Sequence, residues 1–148
     1  MRRVSAILLV DEQGRLLLQE RDSAAPVAPD KWGMVGGQVE DGEDFETAAY
    51  RELEEETGIR LAPPALRLWR DERYVDPHDP DEASHCRLWT AATTLTDADI
   101  VVGEGRQIVF VDAAEVPRLD RGPSCAHFTD AFLASPEYAA LAAGSLPR

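Results

Sequence analysis

Apolar residues along the chain fall into runs separated by turn-forming segments. Val4–Val10 is an almost unbroken apolar stretch and predicts a buried strand. Asp11-Glu12-Gln13-Gly14 has turn chemistry, so Arg15–Arg21 reads as the returning strand of a hairpin. Ala24–Pro29 is a loop rich in Pro and Ala. Trp32–Val39 is short and holds three glycines, which predicts a strand or turn where backbone comes close to a neighbour. Asp44–Thr57 is the clearest helix: good formers throughout, acids in the first turn, and Gly58 where a C-cap belongs. Leu66–Val75 and His85–Leu95 predict two strands joined by an acidic, Pro-rich loop, Asp76–Ser84. Arg106–Val111 is a further short strand. Beyond Pro117 a loop leads to a terminal helix near Ser124–Ala134, carried on after Pro136. Strands mixed with helices, with hairpins among the strands, predict an α/β fold: a mixed sheet with helices packed on it.

The 148 residues fall within the roughly 100–200 of a typical domain, so a single domain over residues 1–148 is expected. Fifteen Lys and Arg against 28 Asp and Glu give a net charge of −13. Phosphate-backbone contacts need a basic face, so a general nucleic-acid binder is not expected. The acid excess suits a protein that recruits cations. Cys86 and Cys125 belong to no Cys-x-x-Cys pair and no zinc-spaced array, so buried, inert thiols are expected rather than a thiolate metal site or a disulfide. Met1-Arg2-Arg3 before Val4–Val10 has the outline of a signal peptide. The apolar run is short, however, it stops at Asp11-Glu12, and no small-residue cleavage site follows. No run approaches the ~20 apolar residues of a spanning helix. A cytoplasmic, reduced setting with no membrane partner is expected.

Candidate chemistry sits on the Asp44–Thr57 helix. Glu52 and Glu56 are i,i+4 neighbours and Glu55 is i,i+3 from Glu52, so three carboxylates share a face. A bare Glu-x-x-Glu-Glu on a helix can be no more than a solvated acidic face. It can also hold a hard cation, Mg²⁺ or Mn²⁺ rather than zinc, because the ligands are all oxygen. What precedes it favours the cation: Gly36-Gly37 lets a backbone carbonyl and the carboxylates converge. Arg51, one residue before Glu52, is placed to orient Glu43 or a neighbouring carboxylate.

Gly37, five residues, Glu43, seven residues, then Arg51-Glu52-Leu53-Glu54-Glu55-Glu56-Thr57-Gly58-Ile59 matches every fixed position of the Nudix box. Over residues 37–59 the chain thus resembles the Nudix hydrolase family, and its MutT-like members in the order of elements around the box. The resemblance implies an α/β/α sandwich around a mixed sheet. It also implies Mg²⁺-dependent hydrolysis of a nucleoside diphosphate linked to another group, with Mn²⁺ as a substitute ion. Carried over by position, Glu52, Glu55 and Glu56 are metal ligands, joined by the carbonyl of Gly36. Glu43 and Arg51 look like the pair that supports the helix. The base that takes a proton from water is a box glutamate or one from a later loop.

Gly103-Glu104-Gly105-Arg106 resembles the Glu-Gly loop of MutT-like members, which makes Glu104 an outer ligand, the base, or a plain exposed loop acid. Arg21 stands where such proteins keep basic residues near phosphates, and otherwise reads as a solvated strand end. Trp32 either stacks on a base or closes the core under the glycines. Trp69, Tyr74 and Trp89 are expected in or beside the sheet, and His78 and His85 at the surface or in loops. Val35 replaces the Pro many members carry before Gly-Gly, and the chain has no Asn for the purine-reading position near Arg121-Gly122-Pro123-Ser124. Pro77 is a weak match to the proline of ADP-ribose enzymes, and Leu16–Arg21 lacks the Arg-rich continuation of coenzyme A pyrophosphatases.

The leading expectation is a small nucleotide substrate, modified or surplus nucleoside triphosphates, with nucleotide sugars or ADP-ribose next. The rivals are a non-catalytic nucleotide-binding regulatory module and a Ca²⁺-binding or structural acidic domain. The EF-hand loop spacing is absent. A homodimer would be in keeping with the resemblance.

Overall fold

A computed structural model describes residues 1–144. Its elements are β1 (Arg2–Val10), β2 (Leu16–Glu20), β3 (Trp32–Gln38), α1 (Phe45–Thr57), β4 (Arg67–Asp76), β5 (Asp79–Ala92), β6 (Gln107–Val111), α2 (Pro123–Leu133) and α3 (Pro136–Ala142). The strands form one six-stranded sheet in the order β4-β5-β1-β3-β2-β6. β1 and β5 run parallel, Arg2 opposite Ser84 through Val10 opposite Ala92, and the other pairings are antiparallel.

Alternation along the central strands divides the core between two faces. Ile7, Leu9, Leu17 and Val35 face α1 and pack with its Ala48, Ala49 and Leu53. Leu8, Val10, Leu16 and Leu18 face the other way, with Cys125 and Phe132 of α2 and Leu141 of α3. The long apolar runs of β1 and β2 follow from this, since both faces are covered. The result is the three-layer α/β/α arrangement with a mixed sheet.

Local signals set α1. Asp44 caps its start by accepting the Thr47 N–H at 2.7 Å, and Gly58 at φ 75° ends it with its N–H on the Glu54 carbonyl at 2.8 Å. The Trp32–Val39 segment is a strand rather than a turn.

Two expectations are corrected. Asp76–Ser84 is not a loop: β4 and β5 form a long hairpin with Pro77 and His78 between strand ends and Asp76 opposite Asp79. β1 begins only opposite Ser84, so this end of β5 has β4 as its neighbour, Ala83 opposite Val75 and Asp79 opposite Asp76, and Pro80 lies in the irregular stretch between those two pairs. His85 is accordingly a strand residue, half-buried, with Nε2 2.8 Å from Asp71 and its ring against Phe45. The terminal helix is also two helices, because Ser135 interrupts it and caps α3 by accepting the Tyr138 N–H at 3.1 Å.

The remaining aromatics lie as expected. Trp89 is in the core, Trp69 lies 5.0 Å from Phe132, and Tyr74 lies 5.6 Å from Phe128. Cys86 and Cys125 are free and buried, and burial pushes their thiols up to about 11 and about 12. Among the described residues no helix is long and apolar enough to cross a membrane.

Candidate active site

α1 lies against β3 with its acidic face turned toward Gly36 and Gly37. Glu56 is 5% exposed, and its Oε2 accepts the Gly36 N–H at 3.1 Å. Gly37 leaves room for Glu52: a β-carbon there would meet Glu52 Oε1 at 2.5 Å. Gly37 is a glycine for that reason, whereas Gly36 is one because its φ is 145° and a β-carbon there would lie 2.3 Å from the Ser5 carbonyl oxygen of β1.

Arg51 organises the outer part of the cluster. Its Nε and Nη2 donate to the two Glu43 carboxylate oxygens at 2.8 and 2.9 Å. Nη1 donates to Glu52 at 3.0 Å and to Glu55 at 3.2 Å, and Nη2 also reaches the Gln38 carbonyl at 3.2 Å. The fork-shaped contact holds the Glu43 carboxyl at about 2, mainly through those hydrogen bonds. Glu43 thereby ties the loop before α1 to the middle of the helix.

The inner carboxylates behave differently. Burial raises the Glu52 carboxyl, with Arg51 opposing the shift and the charges of Glu55 and Glu104 adding to it. Burial pushes Glu56 up to about 8. The Gly36 N–H opposes that, while Glu52 and Glu104 add to it. Glu104 therefore belongs to the cluster in space although it lies 48 positions beyond Glu56 in sequence. Its loop is drawn over the end of α1: Val101 N–H donates to the Thr57 carbonyl at 2.9 Å and Gly103 N–H to the Glu56 carbonyl at 2.8 Å. Gly103 permits this contact, since a β-carbon there would lie 2.1 Å from the Glu55 carbonyl oxygen. Glu55 stays at the exposed rim.

Among the described residues no three His, Cys, Asp or Glu side chains stand together as a metal cage. The donor set nevertheless fits a hard divalent cation. It is all oxygen, one guanidinium stands against the five carboxyls of Glu43, Glu52, Glu55, Glu56 and Glu104, and its inner members are buried among like charges.

A groove of about 430 Å³ opens beside this cluster, lined by Arg21, Lys31, Trp32, Gly36, Gly37 and Arg121. Arg21 has no carboxylate partner among the described residues. It also borders a smaller cavity of about 200 Å³ that includes Gln19, Glu104 and Gly105. Trp32 is half-buried: it packs on the α2-side core and also borders the groove, and its backbone bridges to Asp120 and Gly122 at 2.9 and 3.0 Å.

Two residues of this region escape a reading by motif. Arg121, its side chain 10% exposed, donates to Thr129 and Asp130 at 2.9 and 2.7 Å beneath the groove. Gln19 donates from Nε2 to the Glu104 carbonyl at 2.9 Å. The visible signal for Gln19 was a lone amide after Leu16-Leu17-Leu18.

A family model described as NUDIX domain matches residues 1–132. An RNA pyrophosphohydrolase of Caulobacter vibrioides is 34% identical over 128 residues, spanning 79% of this chain and 72% of that protein. The MutT protein of Methanosarcina mazei Go1 is similar in structure with a TM-score of 0.70 at 18% identity, covering 99% of this chain and 96% of that one. The dihydroneopterin triphosphate pyrophosphohydrolase of E. coli gives a TM-score of 0.70 at 23% identity, covering 88% and 94%. The two structural likenesses concern the fold.

Proposed function

The chain belongs to the Nudix family and is a hydrolase of phosphoric anhydride bonds, and from that premise we propose a magnesium-dependent pyrophosphohydrolase of nucleoside triphosphates, built as one domain. The observation that carries the reading is the convergence of Glu52, Glu56 and Glu104 beside Gly36 and Gly37, at the mouth of a groove bordered by Arg21 and Trp32. Glu52, Glu55 and Glu56, with the Gly36 carbonyl, would hold the metal, and Mn²⁺ can stand in for Mg²⁺. When bound, the ion offsets phosphate charge and makes water more acidic. Glu43 fixes Arg51, and Arg51 orients Glu52 and Glu55. Glu104 or a box glutamate accepts the proton of the attacking water. Arg21, without an acidic partner among the described residues, suits a phosphate oxygen, and Trp32 suits the face of the base.

A second reading has support from the Caulobacter relative, named an RNA pyrophosphohydrolase: the triphosphate could belong to an RNA end. The net charge of −13 favours the mononucleotide, because a longer strand adds phosphates for which the chain offers few cations. The two free thiols suit a reducing cytoplasm.

The test is a panel with Mg²⁺ containing ordinary and modified nucleoside triphosphates, nucleotide sugars, ADP-ribose and a short 5′-triphosphorylated RNA, its products resolved by mass. Turnover of triphosphates to monophosphate and pyrophosphate is expected. Preference for the RNA, or for the sugars, overturns the substrate assignment. No turnover of any member would leave a nucleotide-binding module.

A further inference from the structure

β2 reads Leu-Leu-Leu-Gln-Glu, and its fourth residue is the anomaly. Gln19 is 2% exposed. It lies two residues from Leu17, so alternation puts both on the face covered by α1. A buried amide on that face is unfavourable unless its donors are satisfied. Gln19 Nε2 finds the Glu104 carbonyl at 2.9 Å, across 85 positions of sequence.

The surrounding attachments give that bond its meaning. Before Glu104, Gly103 N–H is tied to α1; after it, Arg106 N–H donates to the Glu20 carbonyl at 2.9 Å. Among the described residues, the tie on Glu104's own backbone comes from Gln19. The Glu104 carboxyl meanwhile lies on the side of α1, near enough to Glu56 to raise that carboxyl. One residue is therefore held at its carbonyl by β2 and turned at its side chain toward the box helix.

We propose that Gln19 is a positioning residue: its amide fixes the Glu104 backbone so that the Glu104 carboxylate meets those of Glu52 and Glu56. This rests on the reading of Glu104 as a working member of the acidic site. The role runs through Glu104, whose carbonyl accepts from the buried Gln19 amide.

The test compares Gln19→Met, Gln19→Asn, Glu104→Gln and the double variant Gln19→Met/Glu104→Gln. Methionine keeps the volume and removes the donor. Asparagine keeps the amide on an arm one methylene shorter. Three readouts are needed: deuterium exchange of the 103–106 amides in metal-free protein, the Mg²⁺-induced rise in Tm, and kcat separately from KM. In both Gln19 variants the loop amides should exchange about fivefold faster, the change expected for one ordinary hydrogen bond. The Mg²⁺-induced rise in Tm should shrink, and kcat should fall with KM little changed. The double variant should be no worse than Glu104→Gln alone.

Normal exchange and a normal Mg²⁺ response in the Gln19 variants, with Glu104→Gln impaired, overturn the role of Gln19 and leave that of Glu104 standing. An additive loss in the double variant also overturns it, since Gln19 would then act through core packing. If Glu104→Gln matches the parent in kcat and Mg²⁺ response, the reading of Glu104 fails and the proposal with it. Should Gln19→Met not fold, Gln19→Asn carries the same comparisons.

Discussion

Arg51 and Glu43 form the tightest ion pair in the site, and its acid dependence has a definite sign. The Glu43 carboxyl is held at about 2, below the ordinary glutamate value of 4.5. The pair therefore contributes its full stability above about pH 4.5, and loses it as pH falls toward 2. Denaturation of Glu43→Gln beside the parent should show a constant stability gap from pH 7 to about 5 that closes below about 4. A gap that persisted unchanged to pH 2 would contradict the assigned contact. Glu56 is the opposite case, a carboxylate buried among like charges. Glu56→Gln should raise the Tm of metal-free protein and shrink the Mg²⁺-induced rise. Its kcat should fall by at least the about 10- to 100-fold typical of losing even an indirect support of a metal site. Calorimetry with and without Mg²⁺, alongside turnover, checks all three effects.

Among the elements, α1 is the one whose signals are most local. Asp44 and Gly58 stand immediately at its two ends, and the spacing of Ala48, Ala49 and Leu53 marks its buried face. Asp44→Ala should cost about 1 kcal/mol through loss of the cap. For a chain of this length that lowers Tm by about 2–4 °C, and kcat at 25 °C should be nearly unchanged because the cap lies at the far end of the helix from Glu56. β5 and the last helix were harder to read, for physical reasons. Pro80 and the acids around it belong to a loop by composition, and they are carried into a strand only because Asp79 and Ala83 on either side pair with Asp76 and Val75 of β4. Ser135 sits after a helix whose apolar spacing continues past it, and its side chain satisfies the next helix instead.

For the molecule as a whole, net charge and the acidic site predict different salt responses. A surplus of 13 negative charges is relieved a little by any salt through screening. A divalent ion held at α1 adds stability by mass action, about 2.7 kcal/mol at a free concentration 100 times Kd. Magnesium at a few millimolar should therefore raise Tm by several degrees beyond NaCl of equal ionic strength. Equal shifts in the two salts, read by thermal denaturation, would leave screening alone.

What the chain determined before folding is whatever depends on neighbours in sequence. That includes the hairpin of β1 and β2, the capped helix, and the helical spacing that sets Glu52, Glu55 and Glu56 on one face next to Gly36-Gly37. Periodicity and end-capping act within a turn or two, so no distant partner is needed to read them. Tertiary structure alone decided what comes from afar. Glu104 joins Glu56 only because Gly103 lets a late loop lie flush on α1, and Gln19 meets Glu104 only because β2 pairs with β6. Arg21, Trp32 and Arg121 share a groove only once β3 and the start of α2 are side by side. These placements depend on which faces the packed sheet brings together, and residue spacing along the chain carries no record of that.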